Sequence, residues 1–250
     1  MIKILLSGAA GRMGRAVASL AADREDTVIV GGIDPVGGNA DFPIVAKPEL
    51  WSGECDAVVD FSNASGIYDL LDWCVKNRVP AVISTTGMDE AAIEAIKKAS
   101  REIAIFRSAN MSLGVSLLKD LAARAAKLLG EDFDVEIIER HHNRKLDAPS
   151  GTALILADAI AAQREESRYV YDRHSVRRAR ESSEIGIHSV RGGTIIGEHE
   201  VLFAGANERI SLSHSAESRE VFAAGALHAA AFIVGREPGL YNMDDLVASL

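Results

Sequence analysis

Cysteine is almost missing from this chain. Its 250 residues include only Cys55 and Cys74, in unrelated surroundings and without C-x-x-C or histidine spacing. That excludes a disulfide framework, and it leaves no zinc site to expect. Long hydrophobic runs are missing too. Nothing approaches the roughly eighteen uninterrupted apolar residues of a membrane-spanning helix, and glycine breaks the apolar start Met1–Ala10 too early for a signal peptide. A cytoplasmic protein with no membrane partner is expected. Positive charge is outweighed, with 27 Lys and Arg against 36 Asp and Glu for a formal charge of −9. This balance argues against a nucleic-acid surface and favours small anions gathered by local basic patches. Internal repeats and low-complexity tracts are absent as well. What remains, 48% apolar and 25% charged residues, is ordinary globular material for one large or two modest cores.

Residues 1–35 come in an order with chemical meaning. Ile2–Ser7 reads as a buried parallel strand and Gly8-Ala9-Ala10-Gly11-Arg12-Met13-Gly14 as a glycine turn. A helix follows with Val17, Leu20 and Ala21 at helical spacing, and Thr27–Ile33 is a second strand stopping at Asp34. A dinucleotide site needs this order. Glycines let the backbone approach a pyrophosphate, the helix N-terminus faces its charge, and an acid after the second strand accepts ribose hydroxyls. Asp34 lies twenty residues past Gly14, the spacing such sites use. The glycines are spaced G-x-x-G-x-x-G rather than G-x-G-x-x-G, and no Gly-Lys-Ser/Thr follows, so a P-loop is not expected. Gly8, Ala9, Ala10, Gly11, Arg12, Met13 and Asp34 are therefore candidate cofactor contacts. A carboxylate at Asp34 accepts from a free 2′-hydroxyl and repels a 2′-phosphate. NADH is expected as the preferred cofactor and NADPH as the alternative, with Arg12 as the one nearby cation that softens the preference.

The βα alternation continues. Cys55–Ser62, Val79–Gly87 and Ile103–Phe106 read as strands, and Ile67–Asn77 and Asp89–Ser100 as helices. Ser84, Thr85 and Thr86, and Ser108, Ala109, Asn110 and Met111, fall just past strand ends, where a doubly wound sheet presents polar groups to a ligand. They are candidate contacts on the nicotinamide side. Beyond about residue 112 the pattern changes to a long helix, Ser112–Leu129, a strand, Asp134–Glu139, and a helix, Thr152–Gln163. Residues 164–184 hold eleven charged side chains and read as a solvated excursion without chemistry. Three strands, Ile185–Arg191, Thr194–Phe203 and Glu208–His214, then read as antiparallel hairpins. With Asp134–Glu139 they predict a four-stranded mixed sheet with helices on one face. Ile185, Ile187, Val201 and Phe203 are expected to form an open apolar face covered by another subunit. A small-residue helix, Ser218–Val234, and a short Asp-capped turn close the chain. The fold class is thus α/β: a Rossmann-like doubly wound parallel sheet in residues 1–111, an α+β substrate-binding and oligomerisation domain in 112–215, and a segment 216–250 returning to the first domain.

The densest chemistry lies between Glu139 and Ala153, E-R-H-H-N-R-K-L-D-A-P-S-G-T-A. His141 and Lys145 are proton-transfer candidates, and Ser150 is an N-cap whose following amides, on Gly151 and Thr152, suit an anion at a helix start. Asn143 and Arg144 are expected to shape the loop, and Asp147 to form a turn or partner a basic side chain. His174, His188, His199 and His214 are scattered without ligand spacing, so no metal is expected. This string, with the glycine turn, Ser84-Thr85-Thr86-Gly87, Ala109-Asn110-Met111-Ser112, Arg191-Gly192-Gly193, Gly197-Glu198-His199 and Gly239–Met243, resembles the 4-hydroxy-tetrahydrodipicolinate reductase (dihydrodipicolinate reductase) family of lysine and diaminopimelate biosynthesis over nearly the whole length. The resemblance implies a homotetrameric enzyme reducing a cyclic conjugated imine that bears two carboxylates, with hydride from NAD(P)H. It implies proton transfer by His141 and Lys145, and carboxylate binding by His142, Lys145, Gly151 and Thr152. Departures from the family pattern are Ser84 for a frequent glycine, Met111 for a frequent phenylalanine, and Pro35 where NADPH users often carry arginine. Two competing classes are a non-catalytic NAD-dependent sensor, which leaves the basic cluster unexplained, and an amino-acid dehydrogenase acting on an acyclic imine.

Overall fold

The computed structural model describes residues 1–250. In chain order its elements are β1 (Ile2–Ser7), α1 (Arg12–Ala22), β2 (Thr27–Ile33), β3 (Ile44–Val45), β4 (Ala57–Asp60), α2 (Ile67–Asn77), β5 (Ala81–Ile83), α3 (Glu90–Ala99), β6 (Ala104–Arg107) and α4 (Leu113–Leu129). Next come β7 (Asp134–His141), α5 (Gly151–Ala161), β8 (Arg168–Val170), β9 (Glu184–Arg191), β10 (Gly197–Ala204), β11 (Arg209–Ala216), α6 (Glu220–Ile233), β12 (Gly239–Tyr241) and α7 (Met243–Ala248). The chain divides into two compact units, Met1–Leu113 with Arg219–Leu250, and Gly114–Ser218. No helix is long and apolar enough to cross a membrane.

The first unit is built on a seven-stranded parallel sheet ordered β12-β6-β5-β4-β1-β2-β3. Its strands are apolar without alternation because helices cover both faces. Ile4, Leu5 and Leu6 of β1 are fully buried, each worth about 1.5–3 kcal/mol of apolar burial. Ile4 and Leu6 pack in a core with Val17 of α1 and Ala223, Ala226 and Leu227 of α6. Leu5 packs on the other face with Leu70, Leu71 and Ile96 from α2 and α3. The strand order reverses between β1 and β4, and that crevice is where open α/β sheets take their ligands. Two edge strands, β3 and β12, are short pairings that no periodicity announces. The final helix is capped by Asn242 in a capping box with Asp245, in place of the Asp-capped turn expected there.

The second unit differs from expectation in four respects. Its mixed sheet has five strands, ordered β11-β10-β7-β9-β8, because Arg168–Val170 of the charged excursion pairs parallel with β9. Only β10 and β11 form a hairpin. Strand β7 inserts between β9 and β10, parallel to the first and antiparallel to the second, so Gly192-Gly193 does not close a hairpin. Third, the excursion is pinned by ion pairs. Glu184, 1% exposed at its side chain, is held by Arg168, Arg173 and Arg178, and Arg180 pairs with Asp134 and Glu136. Last, Ile185, Ile187, Val201 and Phe203 do not form an open face. They are buried beneath α4 and α5 with Leu118, Ala122, Leu156 and Ala157, since one residue in two along each strand points to the helix layer. The opposite face is predominantly polar, with Arg140 lying 3.6 Å from Glu198 and 3.5 Å from Glu200.

Candidate active site

In the first unit the glycine turn sits at the reversal of strand order. Gly8 has φ +77, and a Cβ there would lie 2.6 Å from the Phe61 carbonyl oxygen, so no other residue fits without shifting the end of β4. A Cβ on Gly14 would collide with the Gly8 carbonyl, which is how α1 packs so close to the turn. The first helical amides of α1 follow Gly11, which supplies no capping side chain, leaving these donors as an anion site. Asp34 is 8% exposed. Its Oδ2 accepts from the Ala10 amide and its Oδ1 from the Val36 amide, both at 3.0 Å, and each oxygen retains a lone pair for a hydroxyl. A cavity of about 950 Å³ is lined by Ala9, Ala10, Val36, Gly38, Phe42 and Ile44 and extends along α1 to Arg15, Ala18 and Arg24; it borders the turn, but neither Gly11 nor Asp34 lines it. This turn, the uncapped amides and the acid fit a dinucleotide.

Asp60, which the sequence reading passed over, organises the neighbouring loops. It is fully buried at the end of β4. Its Oδ1 accepts from the Ser62 amide at 3.1 Å and the Ser62 hydroxyl at 2.6 Å, and its Oδ2 from the Thr85 hydroxyl at 2.7 Å. The Thr85 side chain is thereby engaged, Thr86 is exposed, and the buried Ser84 hydroxyl has no hydrogen-bond partner. The Ser108 hydroxyl donates to the Asn110 carbonyl at 2.6 Å, and the Asn110 side chain accepts from the Ser112 amide at 2.9 Å. Met111 is core: it is 2% exposed and packs among residues of β1, α1 and α6.

In the second unit the basic segment begins on a strand, since β7 runs on to His141. Alternation along β7 carries Glu139 and His141 to the helix-covered face. Glu139 is fully buried and is surrounded by donors. Arg191 at the end of β9 grips it through both terminal nitrogens at 2.7 Å, the Ser150 amide donates at 3.1 Å, and His141 Nδ1 lies 2.6 Å away. Burial alone would raise this carboxyl, but hydrogen bonds from Arg191, His141 and Ser189 bring it down to about 2. Burial pushes the His141 imidazole below its ordinary value. Glu139 pulls it back up, while Lys145 and Arg191 press it further down. Arg191 also donates to the Asp147 carbonyl at 2.6 Å, tying the loop to the sheet, and Lys145 Nζ pairs with the Asp147 carboxylate at 2.8 Å.

Ser150 caps α5 as expected, its hydroxyl accepting from the Ala153 amide at 3.1 Å. That hydroxyl also lies 2.9 Å from His199 Nε2. His199, expected to be scattered, instead packs edge-on against His141 with ring centroids 5.2 Å apart. Burial, with His141 adding to it, pushes His199 down to about 4. The structure thus gathers His141, Lys145, Ser150, Gly151 and Thr152 with Glu139, Arg191, Asp147 and His199. Gly151 is exposed with open space above its Cα, and His142 keeps a buried Nδ1 with no hydrogen-bond partner. His214 stands opposite His199 across the β10–β11 pairing, His188 pairs with Glu136 on the polar face of the sheet, His174 lies in the charged excursion, and no group of three or more His, Cys, Asp or Glu has metal-binding geometry. Arg191 and His199 lie some fifty residues further along the chain, so only the pairing of β9 and β10 with β7 brings them in.

A Rossmann sheet with a dinucleotide turn, together with a separate acid–base cluster beside a helix N-terminus, defines a nicotinamide-dependent oxidoreductase. The chain belongs to the dihydrodipicolinate reductase family. The family models described as dihydrodipicolinate reductase, N-terminus and C-terminus, match residues 2–111 and 114–247. The 4-hydroxy-tetrahydrodipicolinate reductase of Caldanaerobacter subterraneus subsp. tengcongensis is 51% identical, over 99% of this chain and 98% of its own. The reductase of the same name from Clostridium tetani is 45% identical over 100% and 98%. A dipicolinate-bound dihydrodipicolinate reductase from Paenisporosarcina sp. TG-14 has the same fold, with a TM-score of 0.81 and 25% identity over 97% of each chain.

Proposed function

We propose that this chain reduces 4-hydroxy-tetrahydrodipicolinate, by way of dihydrodipicolinate, to tetrahydrodipicolinate in the diaminopimelate branch of lysine synthesis. The observation that carries this reading is the cluster of His141, Lys145 and the α5 N-terminus around the buried Glu139 and the half-buried Arg191 that grips it. The dinucleotide, when bound, supplies a hydride. In net terms the hydroxylated heterocycle loses water and gains one hydride and one proton. Residues Gly8–Met13 would hold the pyrophosphate against the amides of α1, Asp34 would accept the ribose hydroxyls, and the loops at Ser84–Thr86 and Ser108–Asn110 would border the nicotinamide, with Met111 packed in the core behind them. His141 and Lys145 are the catalytic residues that deliver the proton next to the carbon receiving hydride. No full anion then builds up, and such general acid catalysis is typically worth about 10²–10⁴ in rate. His142, Lys145, Gly151 and Thr152 hold the two carboxylates, a role suited to a cation and to amides at a helix start.

NADH is the preferred cofactor on this reading, because the Asp34 carboxylate repels a 2′-phosphate and Pro35 offers no cation to offset it. Two thiols left unpaired, Cys55 and Cys74, suit a cytoplasmic enzyme. The homotetramer implied by the family resemblance would use the helix-free face of the five-stranded sheet, and light scattering that gives a monomer at micromolar concentration would refute it. The deciding experiment follows NADH and NADPH absorbance after adding the protein to heterocycle generated in place from pyruvate and aspartate semialdehyde by the preceding synthase. Rapid oxidation, faster with NADH, is expected. Tight cofactor binding without turnover would move the chain to the sensor reading.

A further inference from the structure

We propose that Glu139 is the positioning residue of this site: by accepting the Nδ1 proton of His141 it fixes the imidazole in the tautomer whose Nε2 transfers the proton, and Gly197 leaves that nitrogen clear. The inference rests on His141 being the proton-transfer group.

An ionised carboxylate only accepts, and Glu139 is kept ionised by the two-pronged grip of Arg191. The atom 2.6 Å from its Oε2, His141 Nδ1, is therefore an N–H. In neutral His141 the lone pair then falls on Nε2, and in the charged form Nε2 carries the mobile proton. An imidazole free in water has no such constraint, and fixing one ring nitrogen through a second group is how a histidine's acting nitrogen is chosen. The Ser150 amide, donating to Oε1 at 3.1 Å, ties the same carboxylate to the start of α5, so one buried group aligns both the imidazole and the helix end proposed to hold a substrate carboxylate. At the other end of the ring, a Cβ on Gly197 would stand 3.1 Å from Nε2, in tight contact with the nitrogen that has to reach substrate. The charged and titratable groups facing His141 are Glu139 on β7, Arg191 on β9, His199 on β10, and Lys145 in the loop after β7 with Asp147 paired to it. Glu139 is the one acceptor placed on Nδ1.

The test begins with the wild-type full chain carrying ¹⁵N-histidine, observed by long-range ¹H–¹⁵N correlation across pH without substrate. His141 is expected to show a protonated Nδ1 and a bare Nε2 in its neutral form. The opposite tautomer would overturn the proposal, whatever the variants do. In Glu139→Gln the anion is lost and the amide end is able to donate. The tautomer preference is expected to vanish, the His141 titration to move to lower pH, and kcat to fall about a hundredfold with KM changed less than about threefold. Glu139→Asp, which keeps the charge, is expected to retain the tautomer and more of the activity. A purely structural ion pair would alter stability but move neither the tautomer nor the pH profile. His141→Gln separates the two readings. If it leaves turnover intact, the assignment of His141 fails. If it abolishes turnover while Glu139→Gln keeps both tautomer and kcat, only the role of Glu139 fails.

Discussion

Replacing Arg191 with methionine is the most exacting test of the energetics of the second unit. In the folded protein Glu139 is fully buried, and both of its oxygens are gripped by Arg191 at 2.7 Å. The carboxyl moves from its ordinary 4.5 to about 2, a difference of about 2.5 pH units worth about 3 kcal/mol. Because the folded value is the lower one, this contribution is fully present above about pH 4.5 and is lost as pH falls toward 2. In Arg191→Met the carboxylate stays buried, keeps only the weaker donors Ser150, His141 and Ser189, and its burial now dominates. Breaking a buried pair by removing one partner costs about 3–5 kcal/mol, and because the Arg191 side chain keeps 20% exposure the lower end of that range is expected here. Urea unfolding of the whole protein at pH 7 measures the loss. The signal is far-ultraviolet circular dichroism, since Trp51 and Trp73 both lie in the first unit and report nothing of the second. The double variant Glu139→Gln/Arg191→Met, which removes both charges, is expected to recover part of the loss, and the cycle isolates the pair. An Arg191→Met variant within about 1 kcal/mol of wild type at pH 7, or one whose deficit is as large at pH 3 as at pH 7, would refute this account of the pair.

Three further outcomes follow from the same geometry. His141→Gln and Lys145→Ala are each expected to lower kcat at least about a hundredfold while leaving the dissociation constant for NADH unchanged, as measured by calorimetry; normal turnover in either variant removes that residue from the mechanism. His199, held down to about 4, refuses a proton that the unfolded chain accepts near 6.5, so stability falls by about 3 kcal/mol as pH drops from 6.5 to about 4. In His199→Gln that slope of the urea midpoint against pH should flatten, and an unchanged slope counts against the buried neutral imidazole. Asp60→Ala strips the acceptor from the buried Thr85 hydroxyl, at about 1–3 kcal/mol for a buried group left unsatisfied, and from the amide and hydroxyl of Ser62, which is exposed and turns to water. Both the urea midpoint and NADH affinity should drop together, and a loss of stability without loss of affinity would separate Asp60 from the cofactor loops.

What the chain declares in its sequence and what it withholds divide along a physical line. Apolar runs closed by glycine or an acid are local signals, and the strand–turn–helix–strand order up to Asp34 reads directly as the nucleotide half of the fold. The string from Glu139 to Ala153 is equally local, so His141, Lys145 and the Ser150 cap are legible at once. Contacts that depend on strand pairing leave no such trace. Strand β7 lies between β9 and β10, and nothing in the periodicity of the three runs says so; read along the chain they look like successive hairpins. That one insertion carries Arg191 and His199 to His141, while Ile185, Ile187, Val201 and Phe203 lie on the face that α4 and α5 cover, which alternation alone does not distinguish from an open one. The charged excursion misleads for a related reason. Its eleven charged residues look solvated because composition cannot show that Glu184 is buried with three arginines closing over it. Asp60 is hidden differently, since an acid at a strand end is common and only its complete burial marks it. The groups proposed to transfer the proton, and the Glu139 proposed to fix the His141 tautomer, are thus written in one short segment, while Arg191 and His199, which surround it with charge and aromatic contact, are distant in sequence and become its neighbours only when the sheet forms.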